Sequence, residues 1–352
     1  MAITETSAQR PAQPGMRTVA GAINGALHAI FEEDDRVHLI GEDLLDPYGG
    51  AFKISRGLST RWPGRVHATP ISEAAIVGIC GGMAMRGLRP VAEIMFGDFI
   101  ALAFDQILNH VTKFAAMYNG QASAPVTIRT PMGGGRGYGP THSQSLEKYL
   151  AGVPGLDVVA VSHLHDVERM YRTAICESEV PTVIVENKLL YGQELAEVVE
   201  GRMNGFALER SGGPYETITL SLAGFRRADA TVITYGGTTR LALDVARRML
   251  IEHEITTDVV VLGRLSPLPF DEMVPAAGRS RRVVVLEEGT GRLGIGAEIA
   301  SVLSERLFGT LAAPVLRVAA EDTIIPAARH LEERMLPNAE RLEHALLSII
   351  DR

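Results

Sequence analysis

A glutamate, Glu73, stands between a predicted strand at residues 65–69 and a predicted helix at residues 73–85. Apolar and small residues follow it with a helical period, and Gly87 ends the helix before a second predicted strand at residues 90–95. One interpretation is that the carboxylate complements the helix N-terminus, which contributes about 0.3–1 kcal/mol. The other is that a carboxyl at a buried strand-to-helix junction exchanges a proton with a bound ligand. The local sequence leaves both interpretations open.

A second stretch that could take part in catalysis or binding is a glycine-rich loop at residues 132–145, MGGGRGYGPTHSQS. It follows a predicted strand at residues 125–131. Its glycines permit positive φ or a close backbone approach, and open α/β sheets bind ligands at the carboxyl ends of their parallel strands. His142 lies in this loop. It is either a solvated surface residue or an acid–base group in a cleft. The other histidines show no spacing typical of metal ligands, so we expect no metal site from this chain.

A third pattern, GxGxxG, is formed by Gly289, Gly291 and Gly294 after a predicted strand at residues 282–288. In a dinucleotide-binding motif an acidic residue follows about 20 residues later, but here Glu321 comes later than that. We therefore interpret the pattern as a tight turn between a strand and a helix. The sequence also contains no phosphate-binding P-loop, no G-x-S-x-G nucleophile motif and no HExxH zinc motif.

The composition describes a globular protein with an acidic surface. Of 352 residues 46% are hydrophobic and 22% charged, and the formal net charge of −8 argues against nucleic acid or an anionic membrane as a partner. No apolar run reaches the roughly 18 residues of a membrane span. The two cysteines, Cys80 and Cys176, favour a reducing compartment, and we expect a cytoplasmic protein with a flexible N-terminus at residues 1–15.

Alternating helices and strands predict an α/β protein with two doubly wound units and mostly parallel sheets. We assign residues 16–190 to the first unit, 191–217 to a polar linker and 218–352 to the second unit. We expect one long amphipathic helix at residues 97–118. The remaining predicted strands lie at residues 37–42, 156–161, 181–186, 230–236, 257–263 and 313–319.

Several ordered motifs together resemble a known family. They are GEDLLDPYGGAF, TPISEAAIVG, RPVAEIMFGDF, AFDQILNH, THSQSLE and LEEGTGRLGIGAEI, found between residues 41 and 299. The chain resembles, over residues 16–336, the beta subunit of the thiamine-diphosphate-dependent decarboxylating component of 2-oxo acid dehydrogenases. This family includes the pyruvate, branched-chain and acetoin types and is related to transketolase. The resemblance implies a pyrimidine-binding domain followed by a transketolase C-terminal-like domain.

The resemblance also implies roles for individual residues. Glu73 matches the glutamate that hydrogen-bonds a pyrimidine nitrogen of thiamine diphosphate and promotes proton transfer within the cofactor. Phe99 matches an aromatic residue that packs on the pyrimidine ring. The alternative interpretation is that Phe99 is an ordinary core residue. Met95 is a further expected cofactor contact, at a position where many relatives carry a polar residue. His142 matches the histidine of an HSQS motif that steadies the substrate and assists acyl transfer to a lipoyl group.

In this family an alpha subunit with a GDG motif binds the diphosphate and Mg2+, and this sequence contains no GDG. The resemblance therefore implies an assembly of two alpha and two beta chains, a 2-oxo acid substrate and a lipoylated acyltransferase as partner. Apolar surface on residues 76–86 and 99–118 would serve that assembly. The main alternative is a two-chain thiamine enzyme that forms carbon–carbon bonds, of the acyloin or transketolase kind, and the third is a non-catalytic subunit. A requirement for a lipoyl acceptor distinguishes the first two.

Overall fold

The computed structural model of the protein describes residues 18–225 and 227–350. The flexible N-terminus predicted at residues 1–15 lies outside these residues. The described residues form two seven-stranded sheets, each flanked by helices. The predicted α/β class with two mostly parallel sheets is confirmed. No helix in the described part of the chain is long and apolar enough to cross a membrane.

The first sheet contains six parallel strands in the order β5-β6-β4-β3-β1-β2. Every residue of its central strands β4 and β6 is buried, as expected when helices cover both faces of a sheet. The strands are β1 Val37–Gly41, β2 Val66–Ala68, β3 Arg89–Glu93, β4 Thr127–Met132, β5 Asp157–Ala160 and β6 Thr182–Asn187. The accompanying helices are α1 Val19–Glu33, α2 Leu58–Arg61, α3 Glu73–Met85, α4 Phe114–Met117, α5 Glu147–Ala151 and α6 Val167–Arg172.

The second sheet has the order β14-β13-β10-β11-β9-β8-β7, parallel from β14 to β11 and antiparallel beyond. Its strands are β7 Arg202–Met203, β8 Phe206–Arg210, β9 Ile218–Leu222, β10 Ala230–Tyr235, β11 Thr257–Leu262, β13 Val283–Thr290 and β14 Leu316–Ala320. Strand β12, Arg264–Ser266, instead pairs antiparallel with β5. The second half of the chain therefore completes the edge of the first sheet. The helices are α7 Thr239–His253, α8 Phe270–Ser280, α9 Ile295–Arg306, α10 Arg329–Met335 and α11 Ala339–Ile350.

The structure corrects two expectations about local structure. Residues 97–118 do not form one long helix: a 3-10 helix at Gly97–Ala103 is followed by a π-helix at Gln106–Val111 and the short α4. The hydroxyl of Thr112 donates to the carbonyls of both Ile107 and Leu108, at 2.9 and 3.0 Å, which competes with regular α-helical pairing. Within the predicted linker at 191–217, residues 202–210 form β7 and β8 rather than irregular structure. The unit boundaries themselves stay a prediction.

The GxGxxG pattern forms a tight turn between β13 and α9. A side chain of the protein binds at the N-terminus of this helix. The Glu287 carboxylate accepts a hydrogen bond from the amide of Gly296 at 3.1 Å. A Cβ at Gly294 would lie 2.5 Å from Glu287 Oε1, so only glycine allows this close approach. Because the carboxyl group of Glu287 already accepts the Gly296 amide at the N-terminus of α9, that amide is not available to bind a pyrophosphate.

Candidate active site

The predicted site residues lie at one edge of the first sheet, where its parallel strands end. Glu73 follows β2, Met95 and Phe99 follow β3, and His142 is in the loop that follows β4. This is the edge at which open α/β sheets bind ligands. The parallel register places the ends of β1 and β3 side by side, with Gly41 opposite Glu93. The fold thus gathers residues from distant parts of the sequence at one place.

Glu73 is the first residue of α3 and its side chain is only 4% exposed. Its carboxylate accepts no hydrogen bond from any residue in 18–225 or 227–350. A second buried carboxyl, Glu42, lies near it at the end of β1. Burial raises the pKa of Glu42, and the negative charge of Glu73 raises it further. Oε1 of Glu42 is buried without a hydrogen-bond partner in the described parts of the chain, so a ligand that donates a hydrogen bond to this pair of carboxyl groups would offset an unfavourable burial.

An aromatic cluster forms beside the loop. The ring of Phe99 lies 5.1 Å from that of His142 and nearly perpendicular to it, and the ring of Phe96 lies 4.7 Å from His142 in a similar orientation. Phe96 and Phe99 also contact each other edge to face, with ring centres 5.9 Å apart. Met95 is half-buried at the start of this segment. The structure therefore brings Phe99 and His142 together and adds Phe96.

One ring nitrogen of His142 is open to a ligand. Nδ1 lies 3.0 Å from the hydroxyl of Thr141. Nε2 makes no hydrogen bond to the part of the chain that the structure describes. Because the flanking phenyl rings fix the imidazole by packing, Nε2 can donate to or accept from a substrate in one defined direction.

Lys188, directly after β6, is a functional candidate that the sequence reasoning missed. Its side chain is fully buried, and its ammonium donates to the carbonyl of His142 while lying 5.3 Å from the ring centre of Phe96. Burial lowers the pKa of Lys188 to about 8, and the negative charge of Asp98 opposes this shift. A lone lysine at the end of an apolar strand was the signal available in the sequence.

A cleft of about 530 Å3 lies elsewhere, between the β5–β12 edge and α8, and another of about 680 Å3 lies beside α7. The first is lined by Asp157, Tyr215, Arg264 and Arg306 among others, and neither cleft contains a predicted site residue. Cavity size alone would therefore point away from the carboxyl edge of the first sheet. Chemistry favours that edge, because it holds the unpartnered carboxylate, the aromatic cluster and the open imidazole nitrogen.

Comparisons with known proteins identify the two halves of the chain. Residues 16–194 match the family described as transketolase, pyrimidine binding domain, and residues 226–342 match transketolase, C-terminal domain. A solved structure titled split gene transketolase, inactive beta4 tetramer, is similar with a TM-score of 0.70 at 22% identity, covering 94% of this chain and 97% of that chain. This likeness shows the fold. The chain is thus a two-domain protein of the transketolase class, with a pyrimidine-binding half first.

Curated relatives narrow the class. The chain is 36% identical to the 3-methyl-2-oxobutanoate dehydrogenase subunit beta of Mycobacterium tuberculosis over 92% of this chain and 89% of the relative. It is 35% identical to the pyruvate dehydrogenase E1 component subunit beta of Leifsonia xyli, covering 94% and 93% respectively. It is 32% identical to the acetoin:2,6-dichlorophenolindophenol oxidoreductase subunit beta of Bacillus subtilis, covering 95% and 97%. The chain belongs to the family of beta subunits of thiamine-dependent 2-oxo acid dehydrogenases, which confirms the resemblance seen in its motifs.

Proposed function

We propose that this chain supplies the pyrimidine-binding side of a thiamine diphosphate site that it shares with an alpha subunit. The assembled enzyme decarboxylates a 2-oxo acid oxidatively and transfers the acyl group to a lipoylated protein. The observation that carries the proposal is the Glu73 carboxylate, which is 4% exposed and has no hydrogen-bond donor in the described parts of the chain. The family membership supports the same conclusion.

The residues present fit this cofactor. When bound, thiamine diphosphate supplies the nucleophilic carbon and the electron sink that decarboxylation requires. Glu73 would hydrogen-bond a pyrimidine nitrogen, and its carboxyl group can hold or release the proton at that nitrogen. Phe99 would pack against the flat ring and Met95 would fill the space beside it. Phe96, whose ring contacts that of Phe99, would help to exclude water from this part of the site.

His142 would act on the substrate rather than on the cofactor. Its free Nε2 can donate a hydrogen bond to the carboxylate of a 2-oxo acid and later assist transfer of the acyl group to the disulfide of a lipoyl group, which is reduced as the acyl thioester forms. Phe96 and Phe99 limit rotation of the imidazole, so the direction of this hydrogen bond is fixed before substrate arrives.

The alpha subunit would hold the diphosphate and Mg2+. Curated relatives of this chain are named as beta subunits, and the proposed assembly contains two alpha and two beta chains. Large apolar side chains are exposed around α3 and residues 97–118, including Ile71 at 83%, Leu102 at 62% and Met117 at 61%. Such a patch is typical of a subunit interface. We also propose a cytoplasmic location, because Cys80 and Cys176 are both free thiols.

The direct test is Glu73→Gln in the complex of this chain with its alpha subunit. The variant should lose thiamine-dependent decarboxylation by about 100-fold or more, because the amide cannot exchange a proton with the ring nitrogen. Glu298→Gln is the matched control, since Glu298 lies in the first turn of α9 and is exposed. Near-normal turnover of Glu73→Gln would contradict the assignment.

The acyl acceptor is tested separately. Wild-type complex is supplied with a 2-oxo acid and either a lipoylated protein domain or a second carbonyl compound. Acylation of the lipoyl group supports the proposed dehydrogenase. Carbon–carbon bond formation without a lipoyl acceptor would instead support the acyloin-forming or transketolase-like alternative.

A further inference from the structure

The short helix α10 buries one residue, and that residue is a glutamate. Of the seven residues Arg329–Met335, only Glu332 is buried, with 0% of its surface exposed. A helix at a protein surface usually packs through an apolar face. Because burying a carboxylate is unfavourable unless hydrogen bonds compensate, the contacts of Glu332 explain why α10 docks where it does.

Both oxygens of Glu332 bind the glycine-rich loop of the first half. One oxygen accepts the amide N–H of Gly135 at 2.9 Å, and the other accepts that of Gly137 at 2.8 Å. A second carboxylate from the same half, that of Glu288 in β13, accepts the amide of Gly134 at 2.7 Å. Three amides of the loop therefore donate hydrogen bonds to carboxylates that lie about 150 to 200 residues later in the sequence.

The loop conformation depends on these contacts. Gly133 has φ of +93°, and a Cβ there would lie 2.5 Å from Glu288 Oε1. The amide of Gly133 also donates to the carbonyl of Gln144 at 3.0 Å, which closes the base of the loop. Glycines lose the most conformational freedom when they become ordered, so a loop this rich in glycine needs strong partners to adopt one conformation.

The other end of the loop is fixed at His142 itself. The buried ammonium of Lys188 donates to the His142 carbonyl, and the guanidinium of Arg136 donates to the Lys188 carbonyl at 2.9 Å. The charges of Glu288 and Glu332 favour the protonated form of Lys188. The carboxylates that bind the loop amides thus also stabilise the cation that holds His142.

We infer that Glu332 is a positioning residue for His142, through which the second half of the chain controls the geometry of a site that lies in the first half. The inference rests on the role of His142 in the proposed function. Charge-assisted hydrogen bonds to two amides have the strength to order the loop, and misplacement of a catalytic group by about 1 Å is enough to slow a reaction about 100-fold.

The test uses the assembled complex and the variant Glu332→Gln. Glutamine offers one acceptor oxygen for two amides and turns an NH2 group toward the other. We expect kcat for lipoyl acylation to fall about 10-fold or more, while the Kd for thiamine diphosphate changes less than about twofold. Glu333→Gln, on the same helix but in an exposed pair with Arg329, should match wild type.

A second measurement separates positioning from general destabilisation. In a His142→Ala background, Glu332→Gln should cause no further loss of kcat, because its effect passes through the missing imidazole. A full additional loss in that background would overturn the inference, and so would a Glu332→Gln complex as active as wild type when His142→Ala is impaired. An unimpaired His142→Ala variant would instead contradict the proposed role of His142.

Amide hydrogen exchange in the wild-type protein tests the inference even if the Glu332→Gln variant does not assemble with the alpha subunit. The amides of Gly134, Gly135 and Gly137 should exchange at least about 10-fold more slowly than those of an unstructured peptide of the same sequence. Exchange at the unstructured rate would overturn the inference, because the loop would then not be held by Glu288 and Glu332.

Discussion

The buried carboxyl of Glu287 should make the stability of the protein depend on pH in a way that one substitution removes. Glu287 is 1% exposed, and its Oε1 has no hydrogen-bond partner in the described parts of the chain. Burial raises its pKa from 4.5 to about 7. The amide of Gly296 opposes the shift, and the negative charge of Glu147 adds to it.

The sign of the effect follows from proton binding. Below pH 4.5 the carboxyl is protonated in both the folded and the unfolded state, so it contributes no pH dependence. Between pH 4.5 and about 7 the unfolded state loses the proton and the folded state keeps it, so stability falls as pH rises. Above pH 7 the folded state bears the full free-energy cost of an ionised, buried Glu287. A tenfold change in proton affinity is about 1.36 kcal/mol, which makes the change between pH 5 and pH 8 about 2 to 3 kcal/mol.

Glu287→Gln removes this dependence because glutamine does not titrate. The amide oxygen can still accept from Gly296, while the NH2 group replaces an unpartnered oxygen at a cost of about 1–3 kcal/mol that is independent of pH. Urea unfolding followed by circular dichroism at pH 5, 6, 7 and 8 gives the free energy of unfolding of both proteins. Between pH 5 and pH 8 the free energy of unfolding of the variant should rise by about 2 to 3 kcal/mol relative to that of the wild type. The control Glu298→Gln, at an exposed position, should show the same pH dependence as wild type. An equal pH dependence of stability in Glu287→Gln and wild type would refute the reasoning.

Two further predictions concern the first sheet. Arg129 is 1% exposed between the carboxylates of Glu93 and Glu186, at 2.5 and 2.6 Å, so Arg129→Met removes the counter-charge of two buried carboxylates and should destabilise the protein by about 3–5 kcal/mol in urea unfolding. A loss below about 1 kcal/mol would contradict this. Gly133→Ala forces a side chain into positive φ and against Glu288, and should lower the stability by about 1–3 kcal/mol, whereas Gly152→Ala, which meets no atom within 4 Å, should be neutral. Equal effects of the two glycine substitutions would count against the proposed constraint.

The sequence was most informative where a single element carries its own signal. The helix predicted at residues 73–85 is found as α3 at Glu73–Met85. Strand β4 was predicted from a compact β-branched run, and the loop after it from its glycines. Glu73 and His142 were singled out by their places after predicted strands, and the family resemblance then implied their roles. Their catalytic roles remain predictions.

The sequence was least informative where the outcome depends on contacts between distant segments. Periodicity does not distinguish 3-10, α and π turns, so the break in residues 97–118 at Thr112 was not visible. The hairpin of β7 and β8 is an edge element whose mixed polarity resembles a linker. Glu332 has an ordinary place on a short polar helix, and its importance appears only when the fold brings α10 to Gly135.

The central claim is that Glu73 faces a ring nitrogen of thiamine diphosphate in a site shared with an alpha subunit. A crystal structure of the alpha-beta complex with the cofactor tests it most directly. We predict a carboxylate oxygen of Glu73 within about 3 Å of a pyrimidine nitrogen, with Phe99 against the ring and the diphosphate bound by the partner subunit. Thiamine diphosphate bound elsewhere, with the carboxylate of Glu73 facing solvent, would contradict the account.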